Sequence, residues 1–435
     1  MKLSYKRTVL IGLAFLSIAG FWQIYDSIIP LMLQNSFHLG ETATGALMAM
    51  DNVLAIFLLP LFGLLSDKMD TRIGKRMPFI LGGTFLAVIF LMILPAADKA
   101  QNLLLFIIIL FALLLAMGLY RSPAVALMPD LTPNHLRSKA NAVINLMGAV
   151  GGVYALIMIK FLVGPGERPD YFPLFASVGG LMVVAVLVLF LTIKERKVSV
   201  QVEAEVKAYE SVSGEKVKAA VIETVERGKA EPLPGDVKKS MIFLLLSIFL
   251  WFAAYNAVTT AFSRYTRVVW HMEGGGFADS LMVATIAAII SYIPIGSLAS
   301  KIGRKKTIMA GIVLMSICYF AAIFAGTYHS LINVAFALIG IGWAAINVNS
   351  YPMIVEMAKG SDIGKFTGTY YTFSMAAQIV TPILSGFLLE KVSYRTLFPY
   401  AFAFSAAAFL TMLNVRHGDS RPEKKEGLEN FDIED

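Results

Sequence analysis

Three ionisable side chains lie deep inside long uncharged runs: Asp26, Asp51 and Arg121. A charge at such a depth costs about 3 kcal/mol or more on insertion scales, so each is expected to face a polar cavity or a partner. At 1.5 Å of rise per helical residue, Asp26 and Asp51 fall about 12 Å and about 14 Å from one end of their runs, and Arg121 about 13 Å from the opposite end. In a hydrocarbon core of about 30 Å that leaves about 5 Å, which a long arginine can bridge. Two carboxylates and one arginine leave one negative charge too many for a dry cavity. One carboxyl is therefore expected to take up and release a proton, with Arg121 paired to the deprotonated form or to substrate. A structural charge cluster without such a role is the alternative.

Other chemistries find little support. His38, His135, His271, His329 and His417 sit at loops or ends and form no metal-ligand spacing. No G-x-x-x-x-G-K-[ST] loop is present, which argues against ATP drive. No metal, cofactor or enzymatic activity is expected. The single cysteine, Cys318, falls in an apolar run and allows no intrachain disulfide.

The elements that position these residues are long apolar helices. Hydrophobic residues make up 57% of the 435-residue chain and charged residues 15%, more apolar surface than a soluble fold can hide. Twelve runs are long enough to span: 8–34, 42–66, 78–96, 102–128, 139–163, 173–193, 240–263, 277–299, 306–326, 330–357, 365–389 and 395–414. They are unalternating and rich in Leu, Ala, Ile and Met, which excludes strands. The fold class is thus an all-α membrane protein of twelve transmembrane helices. The first run is expected to remain as a spanning helix, being too long for a signal-peptide core. The net charge of +7 is spread over short loops and forms no single basic stripe, which points to a bilayer and away from nucleic acid. Lys and Arg collect on the side that carries both termini, which places the termini in the cytoplasm. Arg264 and Arg267, near the other end of the seventh run, are expected to snorkel. Residues 194–239 read as a polar linker with a helix-compatible piece near Glu215–Arg227, and residues from 415 onward as a solvated tail. The chain divides into bundles at 1–193 and 240–414, joined by that linker.

One stretch between the second and third runs recurs over 230 residues later. The first copy carries Gly63, Ser66, Asp67, Arg72, Gly74, Lys75 and Arg76; the second carries Gly296, Ser300, Gly303, Arg304, Lys305 and Lys306. It resembles the loop signature G-x-x-x-D-R-x-G-R-R of the major facilitator superfamily, found once per six-helix half. The longer first copy, with Pro78-Phe79, resembles the sugar–cation symporter branch, the melibiose-type glycoside symporters and plant sucrose–proton symporters. So do Ser122-Pro123 to Asp130 and Gly368 to Pro382. The resemblance implies two pseudo-symmetric six-helix bundles and a cytoplasmic gate built on Gly63, Asp67, Arg72, Gly74, Lys75, Arg76, Gly303 and Arg304. Asp130 and Glu356, closing the fourth and tenth spans, are the expected acidic partners, with Arg137 and Lys139, and Lys365, following them. Ser300 stands where the signature has an aspartate, so the second gate loop is expected to be weaker. Gly148, Gly151 and Gly152 permit close packing of the fifth span.

The same resemblance places a substrate between the first, fourth, seventh and tenth spans, flanked by the second, fifth, eighth and eleventh. The residues there are Trp22, Gln23, Tyr120, Asn145, Trp251, Tyr255, Asn256, Thr259, Tyr292, Trp343, Asn347, Asn349, Ser374 and Gln378. Amides and hydroxyls suit sugar hydroxyls, and indole rings suit pyranose faces; inter-helix hydrogen bonding is the plainer reading. The chain departs from the branch at its coupling residues. The paired helix-2 carboxylates fall on Ala55 and Leu59, and the helix-4 aspartate on Arg121. Protons are therefore favoured over sodium. The expectation is a monomeric proton-coupled sugar or glycoside symporter of a bacterial cytoplasmic membrane. The rivals are an exporter, a carrier of another organic solute or of lysolipid, and a non-transporting membrane receptor.

Overall fold

A computed structural model describes residues 3–133, 136–212, 233–358 and 363–419. The helix-compatible piece at 215–227 and most of the tail lie outside them. The described chain folds into α1 (Tyr5–Asn35), α2 (Glu41–Lys68), α3 (Met77–Lys99), α4 (Leu103–Asp130), α5 (Arg137–Leu162) and α6 (Phe172–Thr192). There follow α7 (Glu195–Val212), α8 (Gly235–Val269), α9 (Ala278–Ile302), α10 (Arg304–Ile323), α11 (Leu331–Met357), α12 (Ile363–Lys391) and α13 (Leu397–Leu413). Among the described residues twelve helices are long and apolar enough to cross a membrane, all but α7. Each expected span has its helix. The largest difference is α8, which runs five residues earlier and six later than the apolar run because its polar ends find partners in the protein.

Local chemistry sets the ends. Asn102 Oδ1 accepts from the Leu105 N–H at 3.0 Å and caps α4. Pro78 and Pro173 occupy the first turns of α3 and α6, where a missing N–H costs nothing. Close packing rests on small residues: a Cβ at Gly151 of α5 would stand 1.9 Å from the Leu16 carbonyl oxygen of α1.

The two six-helix sets, α1–α6 and α8–α13, meet tightly at the end away from the signature loops. There α2 and α12 cross backbone to backbone: a Cβ on Gly45 would stand 2.0 Å from the Pro382 carbonyl oxygen, and one on Gly386 2.5 Å from that of Glu41. At this end Lys160 of α5 pairs with Asp279 of α9 at 2.7 Å.

Candidate functional site

A cavity of about 220 Å³ lies between α1 of the first half and α8 to α11 of the second. Gln23 and Asp26 form the α1 wall; Tyr255, Asn256, Thr259 and Thr285 supply the polar groups opposite. Gln23 Nε2 donates to Ser27 Oγ at 3.1 Å. The Tyr255 ring stacks on Trp343 with centroids 3.8 Å apart and planes 4° apart. Asn256 Nδ2 is buried with no hydrogen-bond partner among the described residues, an orphaned donor at the cavity wall.

Beside the cavity the three intramembrane charges come together. Asp51 lies within electrostatic reach of Asp26 and of Arg121. Asn52 Nδ2 donates to Asp51 Oδ1 at 2.8 Å. The Arg121 guanidinium sits 5.6 Å from the centre of the Trp22 ring, and that ring stands edge-on to Phe21 and Tyr25.

Several candidates lie elsewhere. Tyr120 is fully buried; its hydroxyl donates to the Ala14 carbonyl at 3.0 Å and shares a 2.6 Å hydrogen bond with Ser17, tying α4 to α1. Trp251 is 1% exposed in the core, its indole N–H without a partner among the described residues. Asn349 Nδ2 donates to the Ala345 carbonyl, Ser374 Oγ to that of Tyr371 and Gln378 Nε2 to that of Ser374, each on its own helix. Asn145 and Asn347 are half-buried outside the cavity lining, and Tyr292 packs beside a small cluster around Ala288 and Val348.

The signature loops are wired within each half. The Arg76 guanidinium, almost wholly buried, donates to Asp67, to Ser66 Oγ, to the Gly63 carbonyl at 3.3 Å and to Asp130 at 2.9 Å. Lys75 joins Asp130 at 3.1 Å. In the second half Arg304 pairs with Glu356 at 2.5 Å. Asp130 thus takes its cations from the loop before it. Arg137, expected beside it, instead donates to the carbonyls of Pro129 and Thr132. Arg72 makes no ion pair among the described residues and lines a surface groove.

Sequence reasoning missed two acidic residues that hold these loops. Glu195, 3% exposed at the start of α7, accepts from the backbone N–H groups of Lys75 at 2.8 Å, Arg76 at 3.0 Å and Met77 at 2.9 Å. A carboxylate there satisfies orphan donors of α3 and meets the positive end of its dipole. Asp419 does the same to Lys305 N–H at 2.7 Å. The loop glycines make room: Gly74 (φ +120°) would place a Cβ 2.1 Å from Glu195, and Gly303 (φ +96°) 2.8 Å from Asp419. The available signal was positional, one acid shortly after the last helix of each half.

Arg264, expected to snorkel, is instead buried in an ion pair. Arg264 Nε donates to Glu41 Oε2 at 2.8 Å, with both side chains about 5% exposed or less. Tyr394 donates to the other oxygen of Glu41. Arg267 donates to the Gly166 carbonyl at 2.7 Å. The partners lie in the other half, so the seventh run alone gave no sign of them. A vestibule of about 750 Å³, which Glu41, His38, His271 and Tyr394 help to line, opens beside this pair.

Comparison with known proteins bears on this arrangement. The chain is 26% identical over 199 residues to the uncharacterized protein YqgE of Bacillus subtilis, covering 44% of each. It is 28% identical to the chloramphenicol resistance protein CraA of Acinetobacter baumannii over 28% of this chain and 27% of that one. It is 30% identical to the sucrose transport protein SUC3 of Arabidopsis thaliana over 29% of this chain and 24% of that one. Each match spans less than half of the relative. Among solved structures, a bacterial homologue of the human drug peptide transporters PepT1 and PepT2 superposes with a TM-score of 0.68 at 13% identity, over 95% of this chain and 98% of that one. The inward-open, partially occluded xylose transporter XylE of E. coli gives 0.63 at 14%, over 94% and 98%. These two share the fold. The family model of the Major Facilitator Superfamily matches residues 11–291 and 270–434, and with twelve apolar helices in that fold the chain is an integral, multi-pass member of the Major Facilitator Superfamily.

Proposed function

We propose that the chain is a secondary transporter that carries a small sugar or glycoside together with a proton by alternating access. The observation that carries this reading is the cavity between the halves, where Asp26 faces Asn256, Thr259 and the stacked Tyr255–Trp343 pair. An aromatic platform beside amides and hydroxyls fits a polyol with one apolar face. At about 220 Å³ the cavity is smaller than the roughly 300–1,000 Å³ typical of drug-sized ligands, which favours a monosaccharide-sized solute. Asp26 or Asp51 carries the coupling proton, and Arg121 pairs with the deprotonated carboxylate or with substrate. Both termini and the signature loops face the cytoplasm of a bacterial membrane, and the Glu41–Arg264 end faces outward. The wired loops brace each half as a rigid unit while the two rock past one another.

Export of an apolar organic solute is the second reading. It is favoured by the likeness to CraA and by the apolar part of the lining, which includes Leu281, Phe336 and Ile339.

Purified protein in sodium-free proteoliposomes is expected to alkalinise the outer medium when one sugar of a mono- and disaccharide panel is added. Asp26→Asn or Asp51→Asn should reduce that signal to the protein-free background. Unchanged, pH-independent uptake in both variants would remove the proton role. Flux of chloramphenicol without flux of any sugar would move the assignment to export.

A further inference from the structure

Near the first signature loop, a groove of about 630 Å³ runs between that loop, the end of α6 and the start of α7. Its lining sorts into two chemistries. Ile73, Phe190 and Val200 give an apolar wall on which Ile73 and Val200 are exposed. Arg72, Lys194, Arg196 and Lys197 give a cationic rim, and among the described residues no carboxylate lines the groove. None of the four cations makes an ion pair among the described residues. The two chemistries adjoin: Lys194 Nζ lies 5.4 Å from the centre of the Phe190 ring. Phe190 stands in the last turn of a spanning helix that ends at Thr192, so the groove sits where hydrocarbon gives way to headgroups. Four cations with no ion pair among the described residues, at that level and beside an exposed apolar wall, are complementary to a molecule with a phosphate at one end and methylenes at the other.

We infer that this groove binds one anionic phospholipid, its phosphodiester among Arg72, Lys194, Arg196 and Lys197 and the start of an acyl chain against Phe190, Ile73 and Val200. The assignment is independent of what the central cavity carries. Because Arg72 belongs to the signature loop and α7 begins with the Glu195 cap, the lipid would bridge the two segments that this carboxylate joins.

Native mass spectrometry of the full chain, extracted from bilayers of mixed phosphatidylglycerol and phosphatidylcholine, tests it. One phosphatidylglycerol is expected to be retained in preference to phosphatidylcholine. At about fivefold per basic residue, Arg196→Gln/Lys197→Gln should weaken that retention about 25-fold. Both positions are exposed on α7, and an unchanged thermal unfolding midpoint would report an intact fold. Lys301→Gln/Lys306→Gln, at the second signature loop, should leave retention unchanged. Equal retention of the two lipids, or no effect of the α7 double variant, would overturn the inference. So would release of the phosphatidylglycerol by millimolar inorganic phosphate, which would mark a free-anion site. A groove occupied by an acidic stretch of protein would retain neither lipid and would overturn it too.

Discussion

Replacing Glu41 by glutamine is expected to unlatch the end of the molecule where the two halves meet. Glu41 is the only ion-pair partner of Arg264 among the described residues, and both side chains are removed from water. Removing one member of a buried pair leaves the other charge uncompensated, at a cost of about 3–5 kcal/mol. That is two to three powers of ten or more in the ratio of closed to open forms, at about 1.4 kcal/mol for each. Spin labels placed across this end on α2 and α12 should report longer, broader distances in Glu41→Gln, and Arg264→Gln should behave alike. The double variant Glu41→Leu/Arg264→Leu should recover much of the closed distance, because an apolar pair carries no orphaned charge. Glu390, which accepts from the Thr42 N–H at the exposed rim, serves as the contrast: Glu390→Gln should change the distances little. Unaltered distances in both single variants would show that backbone packing alone holds this end shut.

The second large effect concerns stability. Glu195→Ala strips the acceptor from three backbone N–H groups at the start of α3. A buried donor left unsatisfied costs about 1–3 kcal/mol, so the loss should reach about 3 kcal/mol or more. The thermal midpoint in detergent should fall clearly, and Glu195→Gln, which keeps one acceptor oxygen, should fall between. Asp419→Ala should cost less, since it caps the single N–H of Lys305. Equal midpoints for Glu195→Ala and the parent protein would mean that water replaces the carboxylate without loss.

The architecture was legible in the sequence because span length and apolarity are local properties. All twelve runs reappear as helices, and the two signature loops marked the repeat. The site was legible only in part. Asp26, Asp51 and Arg121 announced themselves by the cost of burying charge, and the structure gathers them. Gln23, Tyr255 and Asn256 reach the cavity, whereas Tyr120, Asn349, Ser374 and Gln378 spend their polar atoms on helix carbonyls or a neighbouring hydroxyl. Residue type does not distinguish these uses, because which side of a helix faces the cavity depends on how the helices pack. Glu41 with Arg264, and Glu195 with the α3 terminus, were illegible for a related reason. Their partners lie 223 and about 120 residues away, beyond anything a spacing rule can see.

The crossing of α2 and α12 has a mechanical consequence. With glycine on one side and carbonyl oxygen on the other, at Gly45 with Pro382 and at Gly386 with Glu41, no flexible side chain cushions the contact. Such a crossing acts as a fulcrum. α2 has 28 residues, which at 1.5 Å each makes an arm of about 42 Å. A tilt of about 5° about this end would carry the far end of the arm some 4 Å. Motion too small to disturb the wiring inside either half would thereby be magnified into an opening at the opposite face.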